Sequence, residues 1–142
     1  MNIYIAASFR RVEEANLVAA RLRACALVIT SRWLDGGHQV HGPKAAEAVE
    51  GEMPEIPLAE GRLFANDDVE DISKADVLVV LTDRPYSTQS RGGHHVETGL
   101  ALGMGKLVII FGPRENAFHC LSQIRQVRTL GDLVEVLLKG EA

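Results

Sequence analysis

Glu97 is the residue of this chain whose type and setting most directly suggest chemistry. It follows Gly92-Gly93-His94-His95-Val96 and falls at the start of a predicted helix. A helix dipole favours negative charge there by about 0.3–1 kcal/mol, so the carboxylate is expected to stay ionised. The two glycines let a ligand approach the backbone closely. An ionised carboxylate on a rigid element beside such a loop can attack a sugar carbon covalently. Taken alone, an acid in a first helical turn is more often a capping residue. A second carboxyl group, Asp68, lies in the run Phe64-Ala65-Asn66-Asp67-Asp68-Val69-Glu70-Asp71. Close to Glu97 it would protonate a leaving group while Glu97 attacks, the division of labour used in glycosyl chemistry. A charge run by itself is usually a solvated helix face.

Ser8 and Arg10 follow the first apolar run and, with the N–H groups of the next helix, make a small anion site. Ser90 and Arg91 add a second set of donors. The alternative is that Arg10, Arg11 and Arg91 are ordinary surface residues. Other chemistries find no support. There is no G-x-x-x-x-G-K-S/T phosphate loop and no G-x-S-x-G nucleophile elbow. Gly99-Leu-Ala-Leu-Gly103-Met-Gly105 ends a helix rather than following a strand, so it is not a dinucleotide fingerprint. The histidines (38, 41, 94, 95 and 119) do not follow H-E-x-x-H, and no cysteine pair is spaced to help them. Neither a metal nor another cofactor is expected. Cys25 and Cys120 read as buried small apolar residues rather than nucleophiles.

These residues must be positioned by strands and helices that the apolar pattern outlines. Ile3–Ala7, Val77–Leu81 and Leu107–Phe111 are continuous apolar runs rich in β-branched residues, with a weaker run at Leu27–Thr30. Unbroken apolarity implies strands covered on both faces, as in a parallel sheet. Between them, Val12–Ala24 is helical with Leu17, Ala20 and Ala24 on one face and Arg21 and Arg23 turned away. Leu58–Lys74 is helical through Leu63, Val69 and Ile72. His95–Met104 carries Val96, Leu100 and Met104 at i, i+4 and i+8. A last helix is capped by Thr129 and runs through Leu130, Leu133, Val134 and Leu137. The alternation predicts a single α/β domain, residues 1–142, with a doubly wound Rossmann-like parallel sheet. In such sheets ligands bind beyond the carboxyl ends of the strands. The loops after Ala7, Leu81 and Phe111 all arrive there. The segment Asp35–Glu60, rich in glycine and proline, is either a lid or a surface excursion.

Composition bounds the answer without deciding it. The chain has 142 residues, 46% hydrophobic and 24% charged, with a net charge of −4. That is ordinary for one globular domain and excludes disorder, collagen and coiled coil. The acidic balance argues against a nucleic-acid polymer as partner. No apolar run reaches the ~20 residues of a membrane helix. The start Met1-Asn2-Ile3-Tyr4 lacks the basic region of a leader. Two cysteines suit a reducing compartment. A cytoplasmic protein without a membrane partner is the expectation.

Three segments together resemble the nucleoside 2-deoxyribosyltransferase superfamily. They are Tyr4-Ile-Ala-Ala-Ser8-Phe9-Arg10, Asn66-Asp67-Asp68 with Ile72 and Asp76, and Gly93-His-His-Val-Glu97-Thr-Gly99-Leu-Ala101 with Gly105-Lys106. The resemblance runs from about Asn2 to Arg125. It implies a Rossmann-like fold and cleavage of the N-glycosidic bond of 2′-deoxynucleosides or their 5′-monophosphates. It also implies Glu97 as the nucleophile linked to C1′, Asp68 as the carboxylate on the base side, and Tyr4 as the residue holding Glu97.

Members acting on free nucleosides carry an aspartate six residues before the nucleophile, where this chain has Arg91. Ser8-Phe9-Arg10 resembles the phosphate contact of the monophosphate N-glycosidases. Ser90, Arg91 and Gly93 complete that end of the substrate site, and Ser122 resembles a serine lent to the neighbouring subunit of a homodimer. A deoxynucleoside 5′-monophosphate N-glycosidase is therefore the leading expectation. Base exchange by a transferase and a non-catalytic nucleotide-binding module are the alternatives. Trp33 would stack on the base, unless it belongs to the core. His94 and His95 stand where the family has small or apolar residues, and Asp35–Glu60 has no counterpart.

Overall fold

The computed structural model describes residues 1–36, 56–83 and 92–140. Five parallel strands form one sheet: β1 (Asn2–Ala7), β2 (Val28–Ile29), β3 (Val77–Leu81), β4 (Leu107–Phe111) and β5 (Ile124–Val127), in the order β2-β1-β3-β4-β5. Four α-helices accompany them: α1 (Val12–Ala24), α2 (Leu58–Lys74), α3 (Gly93–Gly103) and α4 (Leu130–Lys139). The Rossmann-like α/β expectation holds. Ile3 pairs with Val77 and Val77 with Leu107, so the three apolar runs sit side by side at the centre. All five residues of β3 are buried. The chain steps outward from β1 to β2 and then returns past β1 to β3, so right-handed crossovers place α1 and the α2–α3 pair on opposite faces. Between β1 and β3 lies the switch point where such sheets bind ligands.

The details depart from the sequence pattern in instructive ways. The expected strand at Leu27–Thr30 shrinks to Val28–Ile29. Beyond it, side chains replace strand pairing: the Ile5 N–H donates to Ser31 Oγ (2.6 Å) and the Ile5 carbonyl accepts from Trp33 Nε1 (2.7 Å). Trp33 is thus a buried core residue completing the sheet edge, not a base-stacking platform. Strand β5 has no apolar run; Arg125 and Gln126 alternate with its apolar ends, as an edge strand permits.

The faces of three helices also differ from expectation. In α1 the buried stripe is Ala15, Val18, Ala19 and Leu22, while Leu17 is 72% exposed. The helix has two apolar stripes, and the one that carries Val18 and Leu22 lies on the sheet. In α3, Val96 and Met104 are exposed and His94, Thr98 and Ala101 are buried. In α2, Leu63 and Val69 are exposed, whereas Asp71 and Ile72 are buried. Only α4 follows its pattern in full. Leu133 and Leu137 are buried, and Thr129 Oγ1 accepts the Asp132 N–H at 3.1 Å. Cys120, at the end of a short 3-10 turn, is exposed rather than buried. Among the described residues no helix is long and apolar enough to cross a membrane.

Candidate active site

Alternation along β1 places Tyr4 wholly inside the protein, and α3 lies over the same strand. The result is one short contact: Tyr4 Oη donates to Glu97 Oε1 at 2.7 Å. Asp68, from α2, is close enough to interact with both the Tyr4 hydroxyl and the Glu97 carboxylate. The structure therefore brings together Tyr4, Asp68 and Glu97 from three elements separated by 64 and 29 residues of sequence (68 minus 4; 97 minus 68). Helices α2 and α3 pack on each other and on β1, which makes the triad possible.

Two features set the electrostatics of the triad. Glu97 keeps partial solvent access, yet protein surrounds its carboxylate and burial pushes its pKa up to about 7. The Tyr4 hydrogen bond opposes that rise and the Asp68 charge adds to it. The expectation that the helix dipole keeps Glu97 ionised needs correction. Helix α3 begins at Gly93, two residues earlier than the pattern suggested, so Glu97 lies beyond the first turn and desolvation wins. Tyr4 is held well above the ordinary phenol value by burial, then by Glu97 and Asp68, so its hydroxyl stays protonated and donating.

Helix α2 is fixed by a clamp that no local motif announces. Arg32 Nε meets Asp71 Oδ1 at 2.8 Å, and its Nη atoms meet Glu70 at 2.6 Å and Asp67 at 3.3 Å. The Arg32 backbone N–H also donates to Asp71 Oδ2 at 2.9 Å. These partners flank Asp68 on both sides and hold its turn of helix against the segment that follows β2.

At the carboxyl ends of β1 and β3, Ser8 Oγ donates to Asp83 Oδ1 at 3.2 Å. Arg11 donates to the Thr82 carbonyl and stands 3.9 Å from Asp83. Arg10, the expected phosphate ligand, is exposed and makes no side-chain hydrogen bond or ion pair with another described residue. Phe9 packs against the core. The inward-facing cation at this edge is Arg11, which the sequence left among surface residues. Gly93 is the exposed first residue of α3, and the preceding Gly92 has a φ of 81°, a conformation that favours glycine. Ser90 and Arg91 lie outside the described residues, as does most of the Asp35–Glu60 segment. Ser122 is exposed, with its Oγ 3.4 Å from Gln123 Oε1, and does not join the triad.

One further cluster was not anticipated. His94 Nε2 lies 3.3 Å from Glu115 Oε2 and 4.0 Å from Asp83 Oδ2, while His95 Nε2 lies 3.8 Å from Glu115 Oε1. His94 and His95 adjoin at the start of α3, whereas Glu115 comes from the loop after β4. No fixed sequence spacing could have signalled them.

No protein-family model and no curated protein sequence matches the chain. Solved structures do. The fold is similar to that of a CMP N-glycosidase, BcmB, from Clostridium botulinum, at a TM-score of 0.55 and 13% identity over 98% of this chain and 99% of that one. It is also similar to a 2-deoxyribosyltransferase from Bacillus psychrosaccharolyticus, at a TM-score of 0.62 and 19% identity over 94% of this chain and 90% of that one. The fold implied by the sequence resemblance is thus the fold observed.

Proposed function

We propose that this chain, with the fold of the nucleoside 2-deoxyribosyltransferase superfamily, is an N-glycosidase of 2′-deoxynucleoside 5′-monophosphates. The observation that carries the reading is the 2.7 Å bond from Tyr4 to Glu97 with Asp68 beside both. In its ionised form Glu97 attacks C1′ of the deoxyribose as the bond from C1′ to the base nitrogen breaks. Asp68 donates a proton or hydrogen bond to the departing base. Water then cleaves the glycosyl ester, its hydroxyl going to C1′ and its proton replacing at Asp68 the one taken by the base, which releases deoxyribose 5-phosphate and returns Glu97 to its carboxylate. Tyr4 holds one Glu97 oxygen, leaving the other for attack. Absence of a 2′-hydroxyl eases the oxocarbenium-like transition state and so favours deoxy substrates.

The 5′-phosphate would be received at the end of β1 by Ser8 and Arg10 with Ser90 and Arg91. The similar fold of an enzyme named for CMP, itself a nucleoside monophosphate, supports a monophosphate as the substrate class. Two copies of the chain would complete the site, with Ser122 reaching the partner's phosphate. The exposed Leu63 and Val69 on α2 and Val96 on α3 support such pairing. The free cysteines Cys25 and Cys120 suit a reducing cytoplasm.

A second reading is favoured by one observation. Asp83 faces Ser8 and would repel a phosphate, but would accept a 5′-hydroxyl. A transferase exchanging bases on free nucleosides would use it so.

Incubation with each deoxynucleoside monophosphate and its unphosphorylated form, with and without an added acceptor base, separates the readings. Free base and deoxyribose 5-phosphate in equal amounts from the monophosphates alone is the expected result. Incorporation of acceptor base outrunning sugar release would establish the transferase, and no turnover of any substrate would contradict both.

A further inference from the structure

The buried stripe of α3 has two functional ends. Glu97 belongs to the triad, whereas His94, one turn earlier, faces a different set of groups. The His94 side chain is fully buried, and its Nε2 looks onto Glu115 at 3.3 Å and Asp83 at 4.0 Å. His95 approaches the other Glu115 oxygen at 3.8 Å, with its ring centroid 4.0 Å from that of His94. The candidate ligand atoms of His94, His95 and Glu115 all lie within 4.8 Å of one another.

Those separations suit a shared ion. Imidazole nitrogens and carboxylate oxygens bind zinc at about 2.0–2.2 Å, so tetrahedral ligands stand roughly 3.3 Å apart. The contact from His94 to Glu115 Oε2 already has that spacing, and the contact from His95 to Glu115 Oε1 exceeds it by about 0.5 Å. The three ligand atoms, all within 4.8 Å of one another, would draw together by at most about 1.5 Å around an ion. His94 Nε2 faces the Glu115 carboxylate, and an ion between them would be bound by the unprotonated ring nitrogen.

The surroundings point the same way. The positive start of α3 opposes a cation, but the carboxylates of Glu115 and Asp83 outweigh it. His119 forms the far wall: its ring centroid is 6.1 Å from that of His95, and its Nδ1 accepts the Glu115 N–H at 3.2 Å. That bond leaves the proton on Nε2, which is buried without a hydrogen-bond partner among the described residues. His119 is therefore a donor beside the cluster rather than a ligand, and it fixes Glu115 from behind.

We propose that His94, His95 and Glu115 bind one divalent ion of the zinc class, with Asp83 as the neighbouring carboxylate. Two imidazoles and one carboxylate select zinc, cobalt or nickel over magnesium and calcium, which prefer all-oxygen shells. Three protein ligands leave a coordination position for water. The ion would pin the loop after β4 to the start of α3. This site is independent of the glycosidase reading and would stand if that reading failed.

Titration calorimetry of the chelator-treated full-length protein with zinc, and visible spectroscopy with cobalt, test the proposal. One zinc per chain should bind with micromolar or tighter affinity, cobalt should give tetrahedral d–d bands, and zinc should raise the melting temperature by several degrees. His95→Ala and Glu115→Gln should each weaken binding at least 100-fold and abolish the bands. Their metal-free melting and circular dichroism serve as controls for folding, with His95→Gln replacing a variant that fails them. Binding weaker than millimolar, or tight binding that survives the His95 and Glu115 substitutions, would overturn the site.

Discussion

Helices α1 and α4 turn their apolar stripes to the sheet, while α2 and α3 turn inward the polar side chains of the candidate site. In α1 the buried set is Ala15, Val18, Ala19 and Leu22, and in α4 it is Leu133 and Leu137. In α2 the inward turn holds Asp71 and Ile72 with Asp68 beside them, and in α3 it holds His94, Thr98 and Ala101 with Glu97. Buried polar groups are costly unless paired. Here Asp71 has Arg32, Glu97 has Tyr4, and Thr98 Oγ1 donates to the His94 carbonyl at 2.7 Å. One half of the molecule makes stability from apolar burial. The other holds the Tyr4–Asp68–Glu97 arrangement in place by hydrogen bonds and leaves Leu63, Val69 and Val96 outside.

That contrast can be broken experimentally. The largest effect should come from Glu97→Gln, which keeps the Tyr4 contact but removes the nucleophile. Base release should fall at least 10³-fold with the fold intact, as measured by chromatography and circular dichroism. On the other face, Leu22→Ala should cost about 2–5 kcal/mol in denaturant unfolding. Leu17→Ala, on the exposed stripe of the same helix, should stay within about 0.5 kcal/mol.

A smaller effect is expected of Tyr4→Phe, at about 10-fold to 100-fold in kcat/KM. It also removes the bond that lowers the Glu97 pKa. The acidic limb of the pH profile, near 7 in the wild type, should therefore move to higher pH; an unchanged limb would detach Tyr4 from Glu97. A further effect is one of stability against pH. Because the folded pKa of Glu97 exceeds its unfolded value of 4.5, its contribution is full below pH 4.5 and is lost as pH rises through about 7. Wild-type stability relative to Glu97→Gln should fall by about 1–3 kcal/mol between pH 5 and pH 8, measured by urea unfolding.

The same contrast explains what could be read from sequence. The central strands were legible because Val77–Leu81 and Leu107–Phe111 are unbroken apolar runs, and α4 because Thr129 caps a single apolar stripe. Strand β5 was not, since an edge strand tolerates Arg125 and Gln126. The face of α1 was ambiguous because its alanines supply two stripes. The faces of α2 and α3 were misjudged because burial there follows pairing across the chain rather than hydropathy. Tyr4, Asp68 and Glu97 are singled out by the family pattern, and the structure brings the three together. Arg32, the meeting of Ser8 with Asp83, and the approach of Glu115 to His94 depend on contacts 39, 75 and 21 residues apart, which no local pattern encodes.

Mass analysis of the protein after quenching with a slowly hydrolysed 2′-fluoro-2′-deoxynucleoside monophosphate tests the central claim most directly. A single sugar-phosphate adduct mapping to Glu97 in the α3 peptide, absent from Glu97→Gln, is the predicted result. An adduct on another residue, or complete turnover of substrate by Glu97→Gln at the wild-type rate, would contradict it.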